Sequence, residues 1–146
     1  MKYSVLIVDD DENIQRVYRR RLAQAGYEMQ SAKTLAEARE ASLTRRFDAI
    51  LLDLNLPDGS GLEFVDELRK SHPTASIVVI TGYGDISIAV DAMRRGADNF
   101  LLKPVDMDAL MLFLQKGVEL GTMRRGQLSR RRTLKLIEPY FGDAPA

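Results

Sequence analysis

Short apolar runs alternate with stretches in which apolar residues recur every three or four positions, and the two patterns take turns five times along the chain. Val5-Leu6-Ile7-Val8 and Ala49-Ile50-Leu51-Leu52 are continuous aliphatic runs, as expected of strands covered on both faces. Tyr27 to Ala32 is shorter in apolar content and suits a sheet edge; Ser76 to Ile80 and Asn99 to Leu102 give the fourth and fifth strands. Between them lie amphipathic segments. From Asp11 to Ala25, Ile14, Val17, Tyr18 and Leu22 share a helical face that Gly26 terminates. Thr34 and Glu37 form a capping box for a second helix with Leu35, Ala38 and Leu43 inward. Leu62 to Ser71 carries Leu62, Val65 and Leu68 inward, and Ile86 to Arg95 closes at Gly96. The last helix starts near Asp106 and runs to Leu114 or Leu120. Strands alternating with helices at this spacing require parallel pairing through crossover helices, so the fold class is α/β with helices on both faces.

The chain has 146 residues, enough for one domain and one good core. Past Leu120 the periodicity degrades: Gly121 and Gly126 interrupt it, and Pro139 limits any second helix. The expected division is a compact domain over 1–120 and a linker or extension of the last helix over 121–146, leading to an output domain in a longer protein, against the alternative of a naturally single-domain protein. From Gly117 to Ala146 six basic residues face three acids, so the tail carries +3 and, since the formal net charge is zero, residues 1–116 carry −3. No aromatic interleaving or reading helix marks that tail for nucleic acid, so no direct nucleic-acid binding is expected. The absence of cysteine removes thiolate metal sites and disulfides and fits a cytoplasmic protein. No apolar run reaches the ~20 residues of a membrane span, and Met1-Lys2 leads straight into a strand rather than a signal peptide.

Chemistry enters with the polar residues at the strand ends. Asp9 and Asp10 follow the first strand, Asp53 closes the third, Thr81 follows the fourth and Lys103 follows the fifth. Ligands of open α/β sheets bind outside the carboxyl ends of the strands, so these residues are expected in one cleft. Each alone reads as an ordinary helix cap; their recurrence does not. Two carboxylates ~4 Å apart at an effective dielectric of about 20 repel by roughly 4 kcal/mol, so either one protonates or a cation sits among them. Hard oxygen ligands favour Mg²⁺ (or Mn²⁺), commonly held with a phosphate. Lys103 adds a second positive charge, Thr81 a hydroxyl donor, and Asp53 a carboxylate able to attack phosphorus.

Val8-Asp9-Asp10, Leu52-Asp53-Leu54-Asn55-Leu56-Pro57-Asp58-Gly59, Val79-Ile80-Thr81-Gly82 and Leu102-Lys103-Pro104 together resemble the response-regulator receiver family of bacterial two-component systems, over roughly residues 3–120. The resemblance implies a flavodoxin-like (βα)5 fold with a five-stranded parallel sheet in the order 2-1-3-4-5. It implies Asp53 as phosphoacceptor, with Mg²⁺ ligated by Asp10, Asp53 and the backbone carbonyl of Asn55, and Asp9 acting through a bound water. Thr81 would be the switch hydroxyl, Lys103 the phosphate-pairing ammonium, and Lys103-Pro104 a cis peptide. Phe100 matches the family's aromatic switch, against the alternative that it is simply core. Asn55 and Tyr83 flank the path of attacking water and would tune phosphoryl lifetime.

The implied partners are a sensor histidine kinase, an output domain or partner protein, and a second copy through the fourth helix, fifth strand and fifth helix. The apolar stretch Met107 to Leu114 has more hydrophobic surface than one core face needs. Thr81 through Phe100 looks most like receivers of the nitrogen-regulation type, which precede ATPase and DNA-binding modules; no P-loop follows here. Two other readings compete with the phosphorylation switch. A binding module independent of phosphorylation would not need the full set of five polar residues. A phosphatase with an aspartyl-phosphate intermediate would keep an acid two residues after the nucleophile, where this chain has Asn55. His72, the lone histidine, precedes Pro73 in a loop and has no partner histidine for a metal.

Overall fold

The computed structural model of the chain describes residues 2–82 and 86–141, with side chains described up to 126. Among the described residues, β1 (Ser4–Val8), α1 (Glu12–Gln24), β2 (Glu28–Ala32), α2 (Leu35–Thr44) and β3 (Ala49–Asp53) come first. Two short strands follow, β4 (Asn55–Leu56) and β5 (Gly59–Ser60), then α3 (Leu62–Ser71), β6 (Ser76–Thr81), α4 (Ile86–Arg95), β7 (Asn99–Leu102) and α5 (Met107–Phe141). The main sheet is parallel in the order β2-β1-β3-β6-β7, which is 2-1-3-4-5 counted over its own five strands. The less apolar second strand lies at an edge, as its composition requires.

The strand period of two divides the core between the faces. Leu6, Val8, Ile50, Leu52, Ile77 and Val79 pack with Ala38 and Ala41 of α2, Phe64, Val65 and Leu68 of α3 and Ala92 of α4. Val5, Ile7, Ala49, Leu51, Val78 and Ile80 face Tyr18 and Leu22 of α1 and Leu110, Leu114 and Val118 of α5. At roughly 1.5–3 kcal/mol for each large aliphatic chain buried, these three central strands dominate the stability.

The caps follow the sequence. Asp11 accepts hydrogen bonds from the Asn13 and Ile14 amides at the start of α1, Thr34 accepts one from Glu37, and Asp106 caps α5 through the Asp108 and Ala109 amides. Gly26 stands at φ +88°, where a side chain would be strained.

Several expectations are corrected. Val17 and Leu43, taken as inward, are exposed, while Gln15 and Ala41 are buried. Each helix keeps its expected face, with Tyr18, Leu22, Leu35 and Ala38 buried, and only these marginal positions change sides. The Pro57 to Gly61 loop contains the β4–β5 antiparallel hairpin, too short to carry a periodic signal. His72 is not a loop side chain in solvent: it caps α3, is buried and stacks on Phe47. Gly121 and Gly126 do not interrupt α5. A Cβ on Gly117 would lie 2.1 Å from Ser76 Oγ and one on Gly121 2.5 Å from the Thr74 carbonyl oxygen, so these glycines let α5 lie close against the start of β6. Arg124 and Arg125, one turn on, then reach Asp98 and Asp48.

Candidate functional site

The carboxyl ends of β1, β3, β6 and β7 meet at one edge of the sheet, since Asp53 pairs with Ile80 and Thr81 with Leu102. The tertiary fold thereby brings together Asp9, Asp10, Asp53, Thr81 and Lys103. Asp9 and Asp53 are buried at 1% and 2% exposure, Thr81 is buried, and Asp10 is open to solvent. One carboxylate oxygen from each of the three aspartates lies within 4.8 Å of the others.

Fixed donors meet part of this charge. Lys103 Nζ donates to Asp53 Oδ2 at 2.8 Å and lies 3.5 Å from Asp9 Oδ2. The Asn55 amide donates to Asp53 Oδ1 and the Asp11 amide to Asp9 Oδ1. Asp9 Oδ2 is buried with no hydrogen-bond partner. Burial raises the Asp9 pKa, the Asp11 amide opposes the shift, and the Asp53 charge adds to it. For Lys103 burial works against the charge, but the hydrogen bond and charge of Asp53, then of Asp9, outweigh it and raise its pKa. Two buried acids and one exposed acid, with a single ammonium among them and one carboxylate oxygen that accepts no hydrogen bond, fit a hard divalent cation by their donor chemistry.

The loop after Asp53 is held from two sides. A Cβ on Gly61 would stand 3.0 Å from the Asp53 carbonyl oxygen, so a side chain there would press on the backbone beneath the acid. Asp58 accepts hydrogen bonds from the Leu35 and Ala36 amides, tying the β4–β5 hairpin to the start of α2. The Asn55 side chain is exposed. Lys103-Pro104 is cis, as the resemblance implies.

Phe100 is not core. It stands 41% exposed on β7, opposite Val79 and two residues back from the Thr81 pairing. Tyr83 lies outside the described residues. Sequence reasoning missed Gln15 and Asp58. Gln15 shares the i, i+3, i+7 face of Tyr18 and Leu22, so a polar residue on an inward stripe was the available signal. Asp58 reads only as a turn residue, because its partners are 22 and 23 positions away.

The family model for the response regulator receiver domain matches residues 5–115. The chain is 41% identical over 130 residues to the photosynthetic apparatus regulatory protein RegA of Rhodovulum sulfidophilum, covering 88% of this chain and 71% of RegA. It is 38% identical over 109 residues to the response regulator protein PilR of Pseudomonas aeruginosa, a regulator of the nitrogen-regulation type, covering 75% of this chain and 24% of PilR. It thus spans about a quarter of PilR. A response regulator from Burkholderia pseudomallei, whose crystal structure holds a phosphorylated aspartic acid, a calcium ion and citrate, superposes with a TM-score of 0.75 at 28% identity, covering 97% of this chain and 88% of that one.

Proposed function

This chain belongs to the response-regulator receiver family, a signalling family, and on that premise we propose that it is a phosphorylation switch with Asp53 as its phosphoacceptor. The observation that carries the reading is the convergence of three carboxylates, two of them paired with the Lys103 ammonium, with one buried oxygen of Asp9 reached by that ammonium only at 3.5 Å and by no hydrogen bond. A carboxylate oxygen of Asp53 attacks the phosphorus of a kinase phosphohistidine. The O–P bond forms as the N–P bond breaks, and the departing imidazole nitrogen keeps the electron pair and takes a proton. Asp10, Asp53 and the Asn55 backbone carbonyl would hold Mg²⁺ or Mn²⁺, with Asp9 acting through a water; the ion would supply neutralising charge to the phosphoryl oxygens. Lys103 and the Thr81 hydroxyl bind the remaining oxygens. The phosphorylated aspartate and calcium ion of the Burkholderia pseudomallei relative support this assignment.

The change is read at α4, β7 and α5. Ile88, Met93, Phe100, Leu102 and Leu112 leave an apolar surface there, 37–48% exposed, suited to an output partner or a second copy. Phe100 turning inward as Thr81 moves to the phosphoryl group is the switch, and Asn55 and Tyr83 set the phosphoryl lifetime. The longer relatives support an output module of transcriptional type; the donor is a sensor histidine kinase, and the setting of this chain is the cytoplasm. Among the described residues no helix is long and apolar enough to cross a membrane.

Incubation with Mg²⁺ and a small phosphodonor should add one labile phosphoryl group, read by intact mass. An adduct that persists in Asp53→Asn, or none in wild type, overturns the assignment. Continuous multiple turnover would favour the phosphatase, which the exposed amide of Asn55 gives no proton donor.

A further inference from the structure

Gln15 is a polar side chain on the inward face of α1, only 5% exposed. The two hydrogens of its Nε2 are shared among three backbone carbonyls, Ile7 at 3.1 Å, Asp9 at 3.0 Å and Ala32 at 3.2 Å. Ala32 also accepts from the Asp9 amide, so both backbone polar groups of Asp9 are held at this one point. The amide continues the hydrogen-bond ladder past the end of β1, where β2 has stopped and the chain turns into the acid loop. Gln15 Oε1, by contrast, is buried without a partner. Burying such an oxygen without a partner is unfavourable, a penalty that an apolar side chain of the same shape would avoid. What an apolar chain cannot do is hold the Asp9 carbonyl.

We propose that Gln15 is the positioning residue of the acid pair, its amide fixing the backbone at Asp9 so that Asp9 and Asp10 stand ready for a divalent cation beside Asp53. The carboxylates repel one another before the cation arrives, and a loop held only by its own residues would open to relieve that repulsion. The contact with Gln15 opposes this opening from six residues away. The cation itself rests on the phosphoacceptor reading above.

The test is Mg²⁺ binding to the whole chain by titration calorimetry, with no phosphodonor present. Gln15→Met keeps the shape and removes the donors; its affinity for Mg²⁺ should fall roughly ten- to a hundredfold, the size typical of lost outer-shell partners. Leu22→Ala, on the same face of α1, should lower thermal stability and leave Mg²⁺ affinity within about twofold of wild type. Equal affinity in Gln15→Met and wild type, or an equal loss in Leu22→Ala, overturns the role. If Gln15→Met does not fold, wild-type protein decides the matter: coupling is reciprocal, so Mg²⁺ should slow hydrogen exchange of the Gln15 side-chain amide. Exchange indifferent to Mg²⁺ overturns the proposal. Wild type that binds no Mg²⁺ would sink the phosphoacceptor reading as well, whereas wild-type binding with a silent Gln15 sinks only this one.

Discussion

The two ends of the sheet both gather aspartates, and they treat them in opposite ways. At the amino end Asp48 accepts from the Ser4 amide and pairs with Arg125 at 3.1 Å. Asp98 accepts from the Ile77 amide and from Arg69 at 2.7 Å, with Arg124 at 3.5 Å on its other oxygen. Arg69 in turn donates to the Gly96, His72, Pro73 and Ala75 carbonyls. Two acids there meet three guanidiniums and two backbone amides. At the carboxyl end three acids meet one ammonium, which pairs with two of them, and two backbone amides, and a buried oxygen of Asp9 has no hydrogen bond, only that ammonium at 3.5 Å. The residue type is the same; the supply of donors differs. Where donors are complete the acids staple helices to the sheet, and where they fall short the acids are left to bind something else.

The difference can be broken most forcefully at the amino end. Asp98→Ala strips a partly buried pair and leaves the Arg69 charge behind. Stability measured by urea unfolding should fall by about 3 kcal/mol, the low end for such pairs because both side chains keep some solvent contact. Its effect on Mg²⁺ binding should be negligible, and a loss below roughly 1 kcal/mol would mean that the amino end is no staple.

The carboxyl end should respond to the ion instead. With Mg²⁺ at ten times its Kd, mass action adds about 1.4 kcal/mol to wild-type stability. Asp10→Asn should lose most of that gain, and Asp98→Asn should keep it. Unfolding curves with and without MgCl₂ separate the two; a gain equal in Asp10→Asn and wild type would remove Asp10 from the cation site.

The smallest effect expected is in pH, and it has opposite signs at the two ends. The Asp9 pKa is raised above its ordinary 3.8 by burial, so without Mg²⁺ its contribution is full below that value and is lost as pH rises through the folded pKa. The His72 pKa is lowered below 6.5, by burial first, so its contribution is full above 6.5 and is lost as pH falls through the folded pKa. Asp9→Asn should flatten the first trend and His72→Phe the second, read as urea midpoints against pH. Profiles unchanged in both variants would contradict the assigned causes.

Much of this was legible in the chain. The alternating periods fixed the fold class, since a run such as Val5 to Val8 tolerates only a strand buried on both faces. The five polar residues stood out because each follows an apolar run. What escaped were contacts made across the sequence by residues with an ordinary local reading. Gln15 looks like a helix residue, Asp58 like a turn and Gly121 like a helix breaker. Their partners lie at Ala32, Leu35 and Thr74, brought near only by the crossovers.

By itself, then, the sequence determined the strands of the main sheet, the helices that alternate with them and which residues bear chemistry. Periodicity and residue type are local properties, written every two or three to four positions. Only the tertiary structure decided which aspartates are satisfied. That depends on how many donors arrive at one point from distant segments, and on how closely two glycines let α5 approach the sheet so that Arg124 and Arg125 reach Asp98 and Asp48.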